Sequence, residues 1–202
     1  MFYAIYKGIR DGAWLCLLDN NIDRLPVDVL KIARAAGIRV IKNSAVNDLL
    51  PDEDAKTYYD GKKFIIIYND LNDIVVSRFA IAHELGHIFL GHITTHTKFE
   101  NVREFGKKPK AEQQADMFAL RLLCPACILM QMDLRSVEDI SSYCRIPHTC
   151  AKIRSKRIEE LCKRDKFYKS DLEKQVYHNF SEYVYINQKR KDSHGIRNEK
   201  NR

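Results

Sequence analysis

Residues 82 to 92 read Ala82-His83-Glu84-Leu85-Gly86-His87-Ile88-Phe89-Leu90-Gly91-His92, and this stretch decides how the chain folds. Its apolar residues recur at helical spacing, which predicts a helix that ends at Gly91. Two histidines four positions apart on a helix lie on the same face, one turn above the other. His83 and His87 can therefore reach a single metal ion at about 2.0 to 2.1 Å.

Glu84 follows the first histidine directly. Its carboxylate can project beside the metal and take a proton from water held there. Catalytic zinc generally has three protein ligands and one open position, so a third ligand has to be found elsewhere in the chain. The downstream candidates are His92, His96, Glu100, Glu104, Glu112 and Asp116.

Glu112 is the favoured third ligand because it lies on a second predicted helix, from about Lys110 to Leu123. A helix antiparallel to the first would present Glu112 to the two histidines. Asp116, one turn on, could then accept the free N–H of a ligating imidazole. His92 lies about 140° around a continuous helix from His87, which favours a place at the helix end or beside a ligand. The alternative for both acidic residues is a solvated helix face.

These residues resemble the ImmA/IrrE metallopeptidase family. The resemblance is carried by residues 82–92 and by the segment Glu112-Gln113-Gln114-Ala115-Asp116-Met117-Phe118-Ala119-Leu120-Arg121-Leu122-Leu123-Cys124-Pro125. In that family the first block supplies two zinc-binding histidines and the catalytic glutamate, and the second supplies a glutamate ligand. The resemblance covers about residues 3 to 161. It implies zinc as the cofactor, Glu84 as the catalytic residue and three ligands, His83, His87 and Glu112.

The remaining pattern predicts an α+β fold. An N-terminal helix is expected over residues 3 to 18, and a second helix with Pro26 in its first turn precedes a strand at 38–41. Residues 43–61 are polar and turn-rich, and we expect a loop or a helical fragment there. A buried strand is predicted at 63–68 from its β-branched and aromatic residues.

We expect three parts in the chain. Residues 1–125 would form a zincin-like catalytic core, with a small sheet and the active-site helices. Residues 126–162 would form a helical extension that resembles a helix-turn-helix and packs on the core. Residues 163–202 would form a basic polar tail, partly disordered.

Composition limits the cellular setting. The six cysteines lack the short regular spacing of a secreted disulfide scaffold, and the N-terminus lacks a signal-peptide pattern, so we expect reduced thiols in the cytoplasm. No apolar run approaches the roughly 20 residues of a membrane-spanning helix. From Arg145 onward 16 Lys+Arg face 8 Asp+Glu, a net charge of +8, so this part carries more than the whole chain's net charge of +7. The near-neutral remainder gives no general signal for nucleic acid.

Cysteines after the second helix offer an alternative metal or redox site. Cys124 and Cys127 are three positions apart, and Cys144 and Cys150 follow. The spacing of the second pair is not a common structural-zinc arrangement, and no thioredoxin-like unit precedes the first. Small buried hydrophobic residues are the simpler interpretation. Cys124 also stands where the family usually has methionine, a position expected to pack rather than react.

A basic helix after Pro147 offers a second alternative. It carries Lys152, Arg154, Lys156 and Arg157, which could meet phosphates if this were a recognition helix. Positive residues spread around a helix more often form a solvated face. Direct nucleic-acid binding through the basic C-terminal part is therefore a secondary hypothesis.

These observations predict a zinc-dependent endopeptidase. The resemblance implies a protein substrate, typically a helix-turn-helix repressor of a phage or integrating mobile element, whose cleavage relieves repression. The alternative from another class is a non-catalytic DNA-binding or repressor-binding regulator with a structural zinc. A hydrolase of non-peptide bonds is a third hypothesis, because a site of two histidines and a glutamate does not determine which kind of bond is cleaved.

Overall fold

The structure is a computed structural model that describes residues 2–93 and 109–189, with side chains from residue 8 onward. The described elements, in chain order, are α1 (Phe2–Asp19), α2 (Val29–Ala35), β1 (Arg39–Lys42), β2 (Ala55–Tyr59), β3 (Phe64–Tyr68), α3 (Ile74–Phe89), α4 (Lys110–Leu123), α5 (Ala126–Gln131), α6 (Val137–Cys144), α7 (His148–Lys163) and α8 (Asp171–Asn179). Residues 181–189 are also helical. The small sheet and the many helices agree with the α+β prediction.

Three strands form one sheet in the order β1-β3-β2. The central strand β3 pairs parallel with β1 and antiparallel with β2, so Ile66 faces Val40 on one side and Thr57 on the other. Ile66 is fully buried, as expected for a central strand against helices. The sheet provides the platform on which α3 lies.

In residues 43–61 we expected a loop or a helical fragment, and a short 3-10 helix does occupy Asn43–Ala45. Strand β2 occupies Ala55–Tyr59, and there the expectation was wrong. The polar residues around it hid a run of good strand formers, Thr57, Tyr58 and Tyr59. Pairing with β3 satisfies the backbone hydrogen-bonding groups of this run. Its conformation is therefore determined by contact with another strand and not by local sequence alone. The second helix also begins later than expected. Pro26 precedes it, and the Asp28 side chain caps α2 by accepting a hydrogen bond from the Lys31 amide at 2.9 Å.

Helices α3 and α4 occupy the ranges that the sequence predicts. The Asp73 side chain accepts a hydrogen bond from the Val75 amide at the start of α3, and Gly91 takes a left-handed conformation (φ 72°) after its end. The two helices cross closely at Gly86. A Cβ atom built there would lie 3.1 Å from the Ala115 Cα and 3.2 Å from the Phe118 Cβ. Glycine therefore sets the distance between the helices.

The helices after residue 126 are bonded to the end of α4. Arg154 of α7 donates through Nε to the Cys124 carbonyl oxygen at 2.7 Å, and the Ser155 hydroxyl donates to the Arg135 carbonyl oxygen at 2.6 Å. The Ser136 side chain caps α6 by accepting a hydrogen bond from the Asp139 amide. The division into units at residues 125 and 162 stays a prediction.

Part of the expected tail is folded. Over residues 163–189 the chain forms α8 and a further helical stretch, and α8 packs against α1. Val176, Phe180 and Val184 are buried, and the Asn179 side chain donates to the Ile22 carbonyl oxygen at 2.7 Å. Their spacing of four residues is the signal that the polar composition concealed. Residues 190–202 lie outside the described part of the chain.

None of the helices in the described ranges is both long enough and apolar enough to span a lipid bilayer.

Candidate metal centre

Three side chains from two helices converge at one point. The Nε2 atoms of His83 and His87 are 3.0 Å apart. Each of them lies 3.2 Å from a carboxylate oxygen of Glu112, which projects from the first turn of α4. Within the described residues, these three side chains are the group whose donor atoms could share a metal ion.

The spacing of these atoms fits a zinc ion. Ligands at about 2.0 to 2.1 Å in tetrahedral geometry are separated from one another by about 3.3 Å, close to the distances of 3.0 and 3.2 Å found here. Two imidazole nitrogens and a carboxylate oxygen are donors that zinc accepts, and three protein ligands leave a fourth position open. The donor set therefore fits a catalytic rather than a closed structural site.

The hydrogen bonds around the histidines direct both Nε2 atoms toward this point. His83 donates from Nδ1 to the Asp116 carboxylate at 2.9 Å. His92 donates from Nε2 to the Gln114 side-chain oxygen at 3.0 Å, so its Nδ1 can accept from His87 Nδ1 at 3.3 Å. With both Nδ1 atoms protonated, the Nε2 lone pairs are the ones available to a metal.

Asp116 thus lies where the sequence placed it, and His92 bonds to a candidate ligand without joining the cluster. The remaining third-ligand candidates, His96, Glu100 and Glu104, lie outside the described residues. Glu112 is brought to the histidines because α3 and α4 pack closely at Gly86. The roles of these residues as ligands are developed below as a proposal.

Proton equilibria at the cluster reflect its mixed charges. Burial acts to lower the pKa of His83, but hydrogen bonds to Asp116 and Glu112 and the charge of Glu84 outweigh it and raise the pKa to about 9. The bonds from His83 and His87 hold the pKa of Glu112 well below its ordinary value. In the metal-free state the cluster therefore contains an ion pair of His83 and Glu112.

Glu84 is buried beside the cluster and is held by a residue that the sequence did not indicate. The Thr57 hydroxyl donates to Glu84 Oε2 at 2.5 Å from the edge strand β2. Among the described residues, Oε1 of Glu84 has no hydrogen-bond partner. The strand-forming run at 57–59 was the available signal for Thr57, and it was obscured when residues 43–61 were interpreted as a loop.

The cysteine alternative does not form a second metal cluster in the described part of the chain. None of the six cysteines forms a disulfide, and Cys124, Cys127 and Cys144 are buried. The basic-helix alternative loses one of its four cations, because the Arg154 side chain faces inward and is only 6% exposed. Lys152 and Lys156 remain exposed on α7.

Comparison with known proteins gives one family match. A family model described as the IrrE N-terminal-like domain, of peptidase family M78, matches residues 33–155. That range begins in α2 and ends in α7, so it includes the sheet, both helices of the metal cluster, α6 and the first half of α7. No curated protein matches the chain.

Proposed function

The chain belongs to the IrrE N-terminal-like family of M78 peptidases, and from this premise we propose that it is a zinc-dependent endopeptidase with a zincin-like core. The observation that carries the proposal is the convergence of His83, His87 and Glu112, with their donor atoms 3.0 to 3.2 Å apart. The helix α3 that lies on a small mixed sheet, with Glu84 between its two histidines, supports the zincin-like assignment.

In this proposal the three clustered side chains hold zinc. When bound, zinc would lower the pKa of water toward neutrality and polarise a carbonyl group. His83 and His87 present unprotonated Nε2 atoms, because their protons lie on Nδ1 and are donated in hydrogen bonds to Asp116 and His92. Glu112 adds one negative charge and reduces the net charge of the centre.

Glu84 is the proposed proton carrier. Thr57 occupies its Oε2, so Oε1 is the atom that accepts a proton from the attacking water and later delivers it to the leaving amine. A fixed carboxylate performs both transfers without a change of position. Proton transfer by a positioned side chain contributes about 10²- to 10⁴-fold to the rate.

The proposed substrate is a helix-turn-helix repressor, and this part rests on the resemblance to the ImmA/IrrE family. Incubation of the zinc-loaded protein with candidate helix-turn-helix repressors, followed by mass mapping of fragments, tests it. We expect discrete cleavage that a chelator abolishes and that Glu84→Gln lacks while retaining zinc. Full activity of Glu84→Gln would remove this residue from the mechanism.

The alternative is a non-catalytic regulator that binds DNA or a repressor through a structural zinc. It predicts an intact repressor in the same incubation and duplex binding that falls steeply with salt. The proposed open coordination position and the carboxylate held by Thr57 favour the peptidase, because a purely structural centre requires neither.

A further inference from the structure

A second functional site is suggested by a cavity of about 390 Å³ between α1, α7 and the segment that enters α8. Arg121 lines it from the last turn of α4, whereas Glu112 is in the first turn. The two residues are about 13 Å apart along the helix axis, from the rise per residue of an α-helix. The cavity is thus separate from the metal centre.

The wall of this cavity is strongly cationic. Seven of its twelve lining residues are Arg or Lys, and Glu173 is the single carboxylate among them. Three of the cations are paired with acidic residues a few positions away in sequence, at distances of 2.7 to 2.8 Å: Arg10 with Asp11, Arg157 with Glu160 and Lys169 with Asp165. Such surface pairs are weak, and a positive excess remains.

Arg154 is the most buried cation of this cavity. Its side chain is only 6% exposed and lines the cavity, yet within the described residues only its Nε donates a hydrogen bond, to the Cys124 carbonyl oxygen. Among the described residues, its two terminal nitrogens have no acceptor and no carboxylate partner. These nitrogens therefore open onto the cavity, where an anion can accept hydrogen bonds from a mostly buried guanidinium.

Two neighbouring thiols do not supply that negative charge. Cys127 and Cys144 lie close enough to interact electrostatically with the Arg154 guanidinium. Burial raises the pKa of Cys127 to about 12, and a hydrogen bond from Cys124 together with burial raises the pKa of Cys144. Cys127 and Cys144 therefore stay protonated at neutral pH.

The cavity also has an apolar side. Trp14 and Leu161 line it, and the Arg10 guanidinium lies 5.0 Å from the centre of the Trp14 ring. A ligand with a planar ring could pack here while its anionic end reaches Arg154. Cavities of about 300 to 1,000 Å³ are the usual size for small-molecule sites.

We propose that this cavity binds a small phosphate ester of the nucleotide type, with the phosphate at Arg154 and at Arg157 one turn further along α7, and the ring beside Trp14. Guanidinium groups match phosphate oxygens with paired hydrogen bonds. A small molecule is favoured over a nucleic acid because Arg154 is recessed and only 6% exposed, out of reach of a duplex backbone.

Trp14 gives the experiment a direct signal, because it is the single tryptophan of the chain. The zinc-loaded full-length protein is titrated with AMP, inorganic phosphate and adenosine at constant ionic strength while Trp14 fluorescence is followed. We expect saturable binding of AMP, at least about tenfold tighter than that of adenosine. Equal affinity for AMP and adenosine would overturn the proposal.

Matched variants locate the site. Arg154→Met keeps the buried volume and should weaken AMP binding by at least about tenfold, as should Arg157→Ala one turn away at the cavity wall. Lys156→Ala removes an exposed charge from the same helix, outside the cavity, and should leave affinity unchanged. If Arg154→Met does not fold, Arg157→Ala against Lys156→Ala decides. Equal weakening by these two variants would contradict the proposal.

Two further experiments distinguish this cavity from binding at the metal centre and from binding of DNA or lipid phosphate. Glu112→Gln should bind AMP as the parent does, and loss of binding in this variant would assign AMP to the metal centre and refute the proposal. Binding to a DNA duplex or to phosphatidic acid vesicles without binding to AMP would likewise refute a small-molecule site.

Discussion

Gly86 lies against Ala115, and a Cβ atom at position 86 would come within 3.1 Å of both the Cα and the carbonyl oxygen of Ala115. Both atoms belong to the backbone of α4, so a side-chain rotation cannot relieve the contact. Glu112 lies one turn before Ala115 on this helix. The smallest residue in α3 thus sets the position of a candidate metal ligand in α4.

Gly86→Ala should therefore separate the two helices. We expect the free energy of unfolding to fall by about 1 to 3 kcal/mol, the usual range for overpacking, and zinc affinity to fall with it. Chemical denaturation and competition with a zinc chelator measure the two effects. Gly8→Ala is the matched control, because it adds a methyl group to α1 with no atom within 4 Å and should stabilise by about 0.5 to 1 kcal/mol. Stabilisation by both variants would contradict this account.

Asp116→Asn should weaken zinc binding without preventing folding. The Asp116 carboxylate accepts the Nδ1 proton of His83 and so fixes the ring with Nε2 toward the centre. Loss of such a partner typically costs about 10- to 100-fold in metal affinity. Asp171→Asn, which alters an exposed ion pair with Lys174, is the control and should leave zinc affinity unchanged. Unchanged affinity in Asp116→Asn would show that His83 is oriented by other contacts.

Much of the candidate site could be predicted because its geometry is local. The distance between His83 and His87 follows from the pitch of one helix. Placing Glu112 and Asp116 required one further assumption, an antiparallel neighbouring helix. Thr57 could not be found in this way, because its strand forms only by pairing with β3. The direction in which it points depends on a contact 27 positions away along the chain.

The basic helix α7 shows that the direction of individual side chains could not be predicted from the sequence. Arg154 was interpreted with Lys152, Lys156 and Arg157 as one set of cations around a helix. The sequence does not tell which of them faces the protein, because that depends on where α4 ends and exposes the Cys124 carbonyl oxygen. The cavity beside Arg154 combines residues of α1, α4, α7 and α8, and no local pattern encodes it.

Thr57→Val should lower the rate of cleavage while zinc affinity stays unchanged. The hydroxyl of Thr57 holds Glu84 Oε2 at 2.5 Å, and valine keeps the shape of the side chain without the donor. Hydrogen bonds to charged groups contribute about 1.5 to 3 kcal/mol, so we expect kcat to fall by about 10-fold or more. Thr57→Ser keeps a hydroxyl and should recover most of the activity. Equal kcat values for the valine variant and the parent would show that Glu84 is positioned without Thr57.

Zinc affinity should rise with pH up to about 9. His83 has its pKa raised to about 9 in the metal-free protein, so zinc must displace a proton from it at neutral pH. With one proton displaced, affinity should increase about tenfold per pH unit and level off above pH 9. Calorimetry in buffers of different ionisation enthalpy measures the released proton. A flat profile between pH 7 and 9 would contradict protonation of His83.

The same groups give the metal-free protein an opposite pH dependence. The pKa of His83 is raised above its ordinary value of 6.5, so its contribution to the free energy of unfolding is complete below pH 6.5 and is lost as the pH rises through 9. The pKa of Glu112 is lowered from 4.5, so its contribution is present above pH 4.5 and is lost on acidification. We therefore expect the chelated protein to become less stable between pH 6.5 and 9, while zinc becomes more stabilising. Thermal unfolding with and without chelator across this range tests the opposition, and parallel curves would refute it.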